Sequence, residues 1–248
     1  MADTAEAAPP DPTKFITVKT TLPKRPTPEN SVRVPFTTER LILRPCRPED
    51  LDALRVLRTQ PEVMVWTAIG RVDQDMAETE VKLAPFLPPR DVTNYNWAIC
   101  LKENPDELIG IGGCHNWTSS FGWPEVGYMF RKECWGKGLA TEFLKGFLTL
   151  WDALPREETL VAVDARTVDS KSTIAVDGEG VKEVEEQYIA VTAIANARSQ
   201  NTLRKCGFEH FVTWKAQDSR DGMGKLIDLP TFRHFPRRSK GKGSNFNS

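Results

Sequence analysis

The stretch from Glu125 to Ala140 holds the residues best placed to do chemistry. Glu125-Val-Gly-Tyr-Met-Phe-Arg131 reads as a short strand, and Cys134-Trp-Gly-Lys-Gly-Leu-Ala140 as a glycine-rich turn into a helix. Gly136, Gly138 and Ala140 have no side chain or a small one, so a ligand can approach the main chain closely. The first N–H groups of a helix have no partner inside it, and the helix dipole favours an anion there. Lys137 adds a point charge. The spacing therefore predicts a site for a phosphate-bearing ligand. Two groups nearby can accept a proton: the Glu125 carboxylate, and the His115 imidazole at the end of the preceding strand.

Three kinds of phosphate site compete. A dinucleotide fingerprint needs a third glycine and an acidic residue about twenty positions later, and neither is in place. A P-loop needs GxxxxGK[ST], which this sequence lacks. A pyrophosphate clamp of another type is left.

The elements that must position these groups follow from periodicity. Strands are predicted over residues 40–44, 95–101, 108–114, 125–131, 159–165, 187–193, 208–216 and 224–232. Pro48, Glu49 and Asp50 favour a helix start, with Leu51, Leu54 and Leu57 as its buried stripe. A second helix is predicted over 73–83. The helix after the glycine turn buries Leu139, Phe143, Phe147 and Trp151, spaced four apart. A short helix over 198–205 ends at Gly207. The order predicts a mixed α/β (α+β) layer fold on one central sheet.

The 248 residues are 40% hydrophobic and 27% charged, with a net charge of -1. That suits a single globular domain and gives no reason to expect nucleic-acid binding. No apolar run approaches the roughly 20 residues of a membrane span, and no basic-then-hydrophobic leader is present. Cys46, Cys100, Cys114, Cys134 and Cys206 stand beside apolar residues without a close CxxC pair. They read as buried free thiols in a reducing cytoplasm, with no metal site. Residues 1–32 are rich in Pro, Ala, Thr and charge and read as a flexible arm. Residues 33–235 read as the domain, with a polar, acidic hairpin or loop inserted at about 167–186. Residues 236–248 read as a disordered basic tail.

A second segment decides between the phosphate sites. Together with Trp135-Gly-Lys-Gly-Leu-Ala140, the run Asn196-Ala-Arg-Ser-Gln-Asn-Thr-Leu-Arg-Lys-Cys-Gly-Phe208 resembles the GNAT superfamily of acetyl-CoA-dependent N-acetyltransferases. The likeness is closest to the RimJ/RimL-type group, which acetylates N-terminal amines of ribosomal proteins. Trp135 before the turn, the pattern of Asn196, Ser199, Lys205, Gly207 and Phe208, and the opening from Thr38 (TERLILRPCRPEDLDAL) carry it. It covers roughly residues 36 to 217.

The resemblance implies a mostly antiparallel central sheet of about six to seven strands, flanked by helices, with splayed central strands. It implies acetyl-CoA, its pyrophosphate held by main-chain N–H groups of Gly136, Lys137, Gly138, Leu139 and Ala140. It implies a pantetheine arm paired with Met129, Phe130 and Arg131 and bonded by Asn196, with Lys205 in the later block. Transfer would go to a primary amine by direct attack in a ternary complex. Glu125 leads as the base, with His115 as the alternative. Ser199 would donate to the departing sulfur or cap the helix, and a main-chain N–H near Met129 would take the oxyanion. Leu203 stands where many relatives have a tyrosine acid, so that acid is expected to be missing. Trp66, Trp97 and Trp117 occur in acceptor-side segments, with core packing as the competing explanation. The acceptor is a protein N-terminus or a small amine, and the chain a monomer or homodimer. The competing function is a catalytically inactive acyl-CoA sensor or scaffold.

Overall fold

The computed structural model describes residues 7–218, 220 and 225–236. The first strand is β1 (Ile16–Pro23), followed by β2 (Phe36–Thr37) and β3 (Leu41–Arg44). A 3-10 turn over Pro48–Asp50 leads into α1 (Leu51–Arg58), and the one-turn α2 (Pro61–Met64) comes next. At the start of α3 (Met76–Leu83), the Asp75 carboxylate accepts the Glu78 main-chain N–H at 2.8 Å. A meander of β4 (Tyr95–Leu101), β5 (Asn104–Asn116) and β6 (Glu125–Phe130) feeds α4 (Leu139–Ala153). Then come β7 (Arg156–Val163), β8 (Thr173–Val176), β9 (Lys182–Val184) and β10 (Tyr188–Val191). The described chain closes with α5 (Ala197–Lys205), β11 (Glu209–Gln217) and β12 (Leu226–His234).

Eight strands form the large sheet, in the order β11-β12-β10-β6-β5-β4-β3-β2. Neighbours are antiparallel except β6 and β10, which are parallel. That parallel pair meets at Ile189 opposite Glu125, where the Ile189 N–H donates to Pro124 O at 2.8 Å. Past this point each strand follows its antiparallel partner. Arg131 N–H goes to Ile109 O at 2.9 Å, and Thr192 N–H to Pro230 O at 3.1 Å. A gap opens between them. The splayed, mostly antiparallel sheet is as the resemblance implies, but with eight strands rather than six or seven.

The expectation of one central sheet needs correcting as well. A second sheet has the order β7-β1-β9-β8. In it β1 pairs with β7 along its whole length, from Ile16 opposite Val163 to Pro23 opposite Arg156. The sequence pattern places residues 16–23 in a flexible arm, whereas they form a strand. Buried Val18 and Thr20 alternate there with outward Thr17, Lys19 and Thr21. The run is mostly polar, and its partner lies beyond residue 155, so no local pattern reports the pairing. The segment over 167–186 contains the β8–β9 hairpin, which joins the same sheet through β9. The basic tail from Arg237 lies outside the described residues.

Apolar packing occurs in three layers. On one face of the large sheet, Phe143, Phe147 and Trp151 of α4 are fully buried, and Trp151 stacks on Tyr188 at 4.4 Å. On the other face, Leu54 and Leu57 of α1 and Leu83 of α3 cover Ala98, Leu108 and Ile111. A third cluster, with Val18, Phe121, Trp123, Val163 and Ile189, joins the two sheets. All five cysteines are free and buried.

If β1 carries core packing, Val18→Ala should cost about 2 kcal/mol in urea unfolding. The outward substitution Thr17→Ala should stay within about 0.5 kcal/mol. Equal, negligible effects at both positions would show that β1 adds no core.

Candidate active site

The glycine turn has the conformation its sequence suggests. Gly136 has φ +74° and Gly138 φ +79°, a region that costs other L-residues roughly 1–2 kcal/mol. Gly138 is the N-cap of α4 and offers no side-chain acceptor, so the first N–H groups of the helix are left to a ligand. A β-carbon at Gly136 would have no atom within 4 Å, which leaves an open cradle. Arg40, just before β3, holds the turn from outside. It donates to Lys137 O at 2.9 Å and to Glu142 Oε2 at 2.7 Å.

The turn forms one wall of a cleft of about 650 Å³ lined by Gly136, Gly138, Leu139, Ala140 and Thr141. The facing wall is the start of α5, with Asn196, Arg198, Ser199, Thr202 and Lys205. Tyr128, Met129 and Phe130 of β6 form the floor. The Asn196 Oδ1 accepts the Ser199 N–H at 3.1 Å, so Asn196 caps α5. That frees the Ser199 hydroxyl, which lies 3.2 Å from the Tyr128 hydroxyl. The Arg198 guanidinium sits 5.1 Å over the Trp135 ring, and Trp135 Nε1 donates to Phe130 O at 2.9 Å. An uncapped helix start, two cations on the opposite wall and an open strand edge suit a ligand with a pyrophosphate head and an amide-bearing arm.

A second cleft, of about 560 Å³, opens on the other side of the strand gap. Its lining includes Trp66, Phe86, Asn96, His115, Glu125, Thr192, Asp218 and Arg220. Both clefts share Trp66, Tyr128, Met129, Asn196 and Ser199, so they meet at the gap. Glu125 Oε1 lies 3.8 Å from His115 Nε2. Burial pushes the Glu125 carboxyl up to about 7. Desolvation holds the His115 imidazole below its usual value. Gly127 makes room for that ring, since a β-carbon there would meet His115 Nδ1 at 2.8 Å.

Several expected site residues lie elsewhere. The Lys137 side chain is not in the cleft lining, and its carbonyl is held by Arg40. Arg131 is buried against Glu107 and Ala53, and its N–H is bonded to Ile109. The alternation of an antiparallel ladder then turns the Met129 N–H toward β5. The main-chain groups of Tyr128 and Phe130 face the gap instead. Trp97 is 1% exposed and packs edge-on to Tyr95, while Trp117 packs on Trp151. Neither lines a cleft: Trp97 faces the α4 core from β4, and Trp117, just past the end of β5, packs on α4 through Trp151. None of residues 167–186 lines either cleft, so the acidic insert stands apart from both.

Arg198, Thr202 and Tyr128 are the main additions. Arg198, Asn201 and Lys205 are spaced i, i+3, i+7, a one-face pattern that the sequence does show. Tyr128 was hidden because its hydroxyl meets α5 only in the folded chain. Among the described residues no group of three His, Cys, Asp or Glu could hold a metal, and no helix is long and apolar enough to cross a membrane.

A family model described as an acetyltransferase (GNAT) domain matches residues 40–209. The chain is 34% identical over 106 residues to "Uncharacterized N-acetyltransferase p20" of Bacillus licheniformis. That match spans 42% of this chain and 58% of the relative. The fold is similar to a GNAT-family acetyltransferase from Bacillus anthracis, with a TM-score of 0.56 at 16% identity, over 82% of this chain and 99% of that one. It is also similar to spermidine N-acetyltransferase from Vibrio cholerae in complex with CoA and spermine, with a TM-score of 0.55 at 14% identity. That likeness covers 80% of this chain and 97% of the other.

The raised Glu125 carboxyl has a consequence for stability. A carboxyl whose folded value lies above its unfolded one stabilises the fold fully below the unfolded value, near 4.5. The contribution is lost as pH rises to about 7. Glu125→Gln stays neutral throughout. In urea unfolding, the variant should therefore gain on wild type by about 3 kcal/mol between pH 4.5 and pH 8. A difference that does not change with pH would mean that Glu125 titrates as an ordinary surface carboxylate.

Proposed function

The chain belongs to the GNAT family of acetyl-CoA-dependent acetyltransferases, in its RimJ/RimL-like group, and from that premise we propose transfer to a primary amine by direct attack in a ternary complex. The observation that carries this reading is the meeting of two clefts at one strand gap. One has the uncapped helix start and two cations, and the other has a largely desolvated carboxyl near 7.

Acetyl-CoA supplies an acetyl group already activated as a thioester. Main-chain N–H groups at the start of α4, with Arg198 and Lys205 opposite, would hold its phosphates. The open edge of β6 at Tyr128 and Phe130 would pair with its amides. Glu125 is the base. A value near 7 leaves much of it ionised at neutral pH while keeping it basic enough to take a proton from an amine. His115, 3.8 Å away, positions or relays for it. Ser199 stands where both clefts meet, on the sulfur side. Cys134 lines the first cleft, but burial raises its thiol, which argues against an acyl-enzyme.

The acceptor is a protein N-terminus or a small amine, held on the wall that includes Trp66. An acetyl-CoA consumption screen over peptides with different N-termini, polyamines and aminoglycosides tests this. At least one amine should turn over, and its kcat/KM should rise with pH through an apparent value near 7. Glu125→Gln should lower kcat/KM by about 10²–10⁴-fold and abolish that limb. Binding of acetyl-CoA with no turnover on any amine would favour the sensor reading. No binding at all would overturn both.

A further inference from the structure

The deeper part of the first cleft contains a hydroxyl cluster that the family pattern does not announce. Where a tyrosine often stands on α5, this chain has Leu203, which is 1% exposed and packed in the core. A phenol nevertheless reaches the same region from β6. The Tyr128 ring is wedged against Phe130 and Phe143, at centroid distances of 6.4 and 6.0 Å. Its hydroxyl crosses to α5, 3.2 Å from Ser199 Oγ, with Thr202 one turn further along the same wall and close enough to influence the phenol. Tyr128 and Ser199 are among the residues common to both clefts.

We propose that Tyr128 is the hydrogen-bond donor to the departing sulfur, with Ser199 and Thr202 orienting its hydroxyl. The inference rests on the acetyl-transfer reading and adds a residue to it. A phenol oxygen has one proton and two acceptor sites. If Ser199 and Thr202 donate to that oxygen, the phenol's own proton is left for the cleft. Ser199 is fixed by the Asn196 cap on its N–H, and the Tyr128 ring by its aromatic neighbours. The donor is therefore preorganised, which is the condition for a large electrostatic effect.

The step balances without a further reactant. The amine nitrogen bonds to the acetyl carbon, and its proton goes to Glu125. The carbon–sulfur bond breaks, and the electron pair stays on sulfur, which accepts a hydrogen bond donated by the Tyr128 O–H. The thiolate takes a proton from water as it leaves, and Glu125 returns its own to water. Tyr128 keeps its proton throughout. Burial raises the phenol, and a thiol near 8.5 is the stronger acid.

The test reads the thiol of bound coenzyme A directly, by thiolate ultraviolet absorbance during a pH titration. Tyr128→Phe should lower the acid-dissociation constant of the bound thiol about tenfold, the effect of one hydrogen bond to a charged acceptor. Ser199→Ala should lower it less, because Thr202 still orients the phenol. Binding of coenzyme A lacking its sulfur should be the same in wild type and Tyr128→Phe. An unchanged thiol in Tyr128→Phe overturns the proposal. So does weakened binding of the sulfur-free ligand, which would mark Tyr128 as a packing residue. If wild type binds no coenzyme A, the acetyl-transfer reading fails instead, and the two failures are told apart.

Discussion

The parting of β6 from β10 is the constraint on which the rest of the structure depends. Two parallel strands in the middle of a sheet are joined near Glu125 and Ile189 and then drawn apart. β6 stays with β5 through Arg131 and Ile109, and β10 continues along β12 through Thr192 and Pro230. Buried main-chain groups need partners, so a gap inside a sheet is costly unless something fills it. Trp135 meets part of that need by donating its indole N–H to Phe130 O. The remaining edge is a ready partner for an amide-bearing ligand. Both clefts exist because of this gap, and they meet because it is a single gap.

The gap also separates two electrostatic environments. On the side of α4 and α5, uncapped N–H groups, Arg198 and Lys205 favour anions. On the other side, burial makes Glu125 reluctant to carry charge, with its carboxyl near 7. The anion-favouring wall and the Glu125 carboxyl line different clefts, which touch only at the residues of the gap. Tyr128 and Ser199 stand at the boundary, where their hydroxyls meet 3.2 Å apart. Arg40 and Glu142 brace the glycine turn from β3, tying the geometry of the anion site to the far edge of the sheet.

The second sheet supports this arrangement from behind. Val18 and Val163 pack with Trp123 and Ile189, so the small sheet buttresses the end of β10 where the strands are still joined. Glu186 ties the end of the β8–β9 segment to α4, accepting from Trp151 Nε1 at 2.6 Å and pairing with Arg156. The acidic insert is thus part of the scaffold, with Glu186 and Asp169 in ion pairs to Arg156 and Arg233.

Much of the fold and half of the site were legible in order along the chain. The stripe of Leu139, Phe143, Phe147 and Trp151, the alternation of Tyr95 to Leu101, and Gly136 and Gly138 each report a local conformation, because period and φ are local properties. The pairing of Trp135-Gly-Lys-Gly with the Asn196 to Phe208 run pointed to the cofactor. Other features belong to contacts between distant segments, and no local pattern encodes those. Thr17 to Thr21 looked unstructured because their partner strand is beyond residue 155. Trp97 and Trp117 looked like acceptor residues until packing placed them under α4. Lys137 and Arg198 exchanged importance because helix phase and the hold of Arg40 decide which cation faces the cleft. The sequence by itself determined the glycine turn with its free N–H groups, since glycine conformation and helix dipole act within one turn, and its likeness to a known family supplied the cofactor. Only the tertiary structure decided which proton acceptor is tuned and which hydroxyls meet, because desolvation and side-chain contact arise when separate elements are brought together.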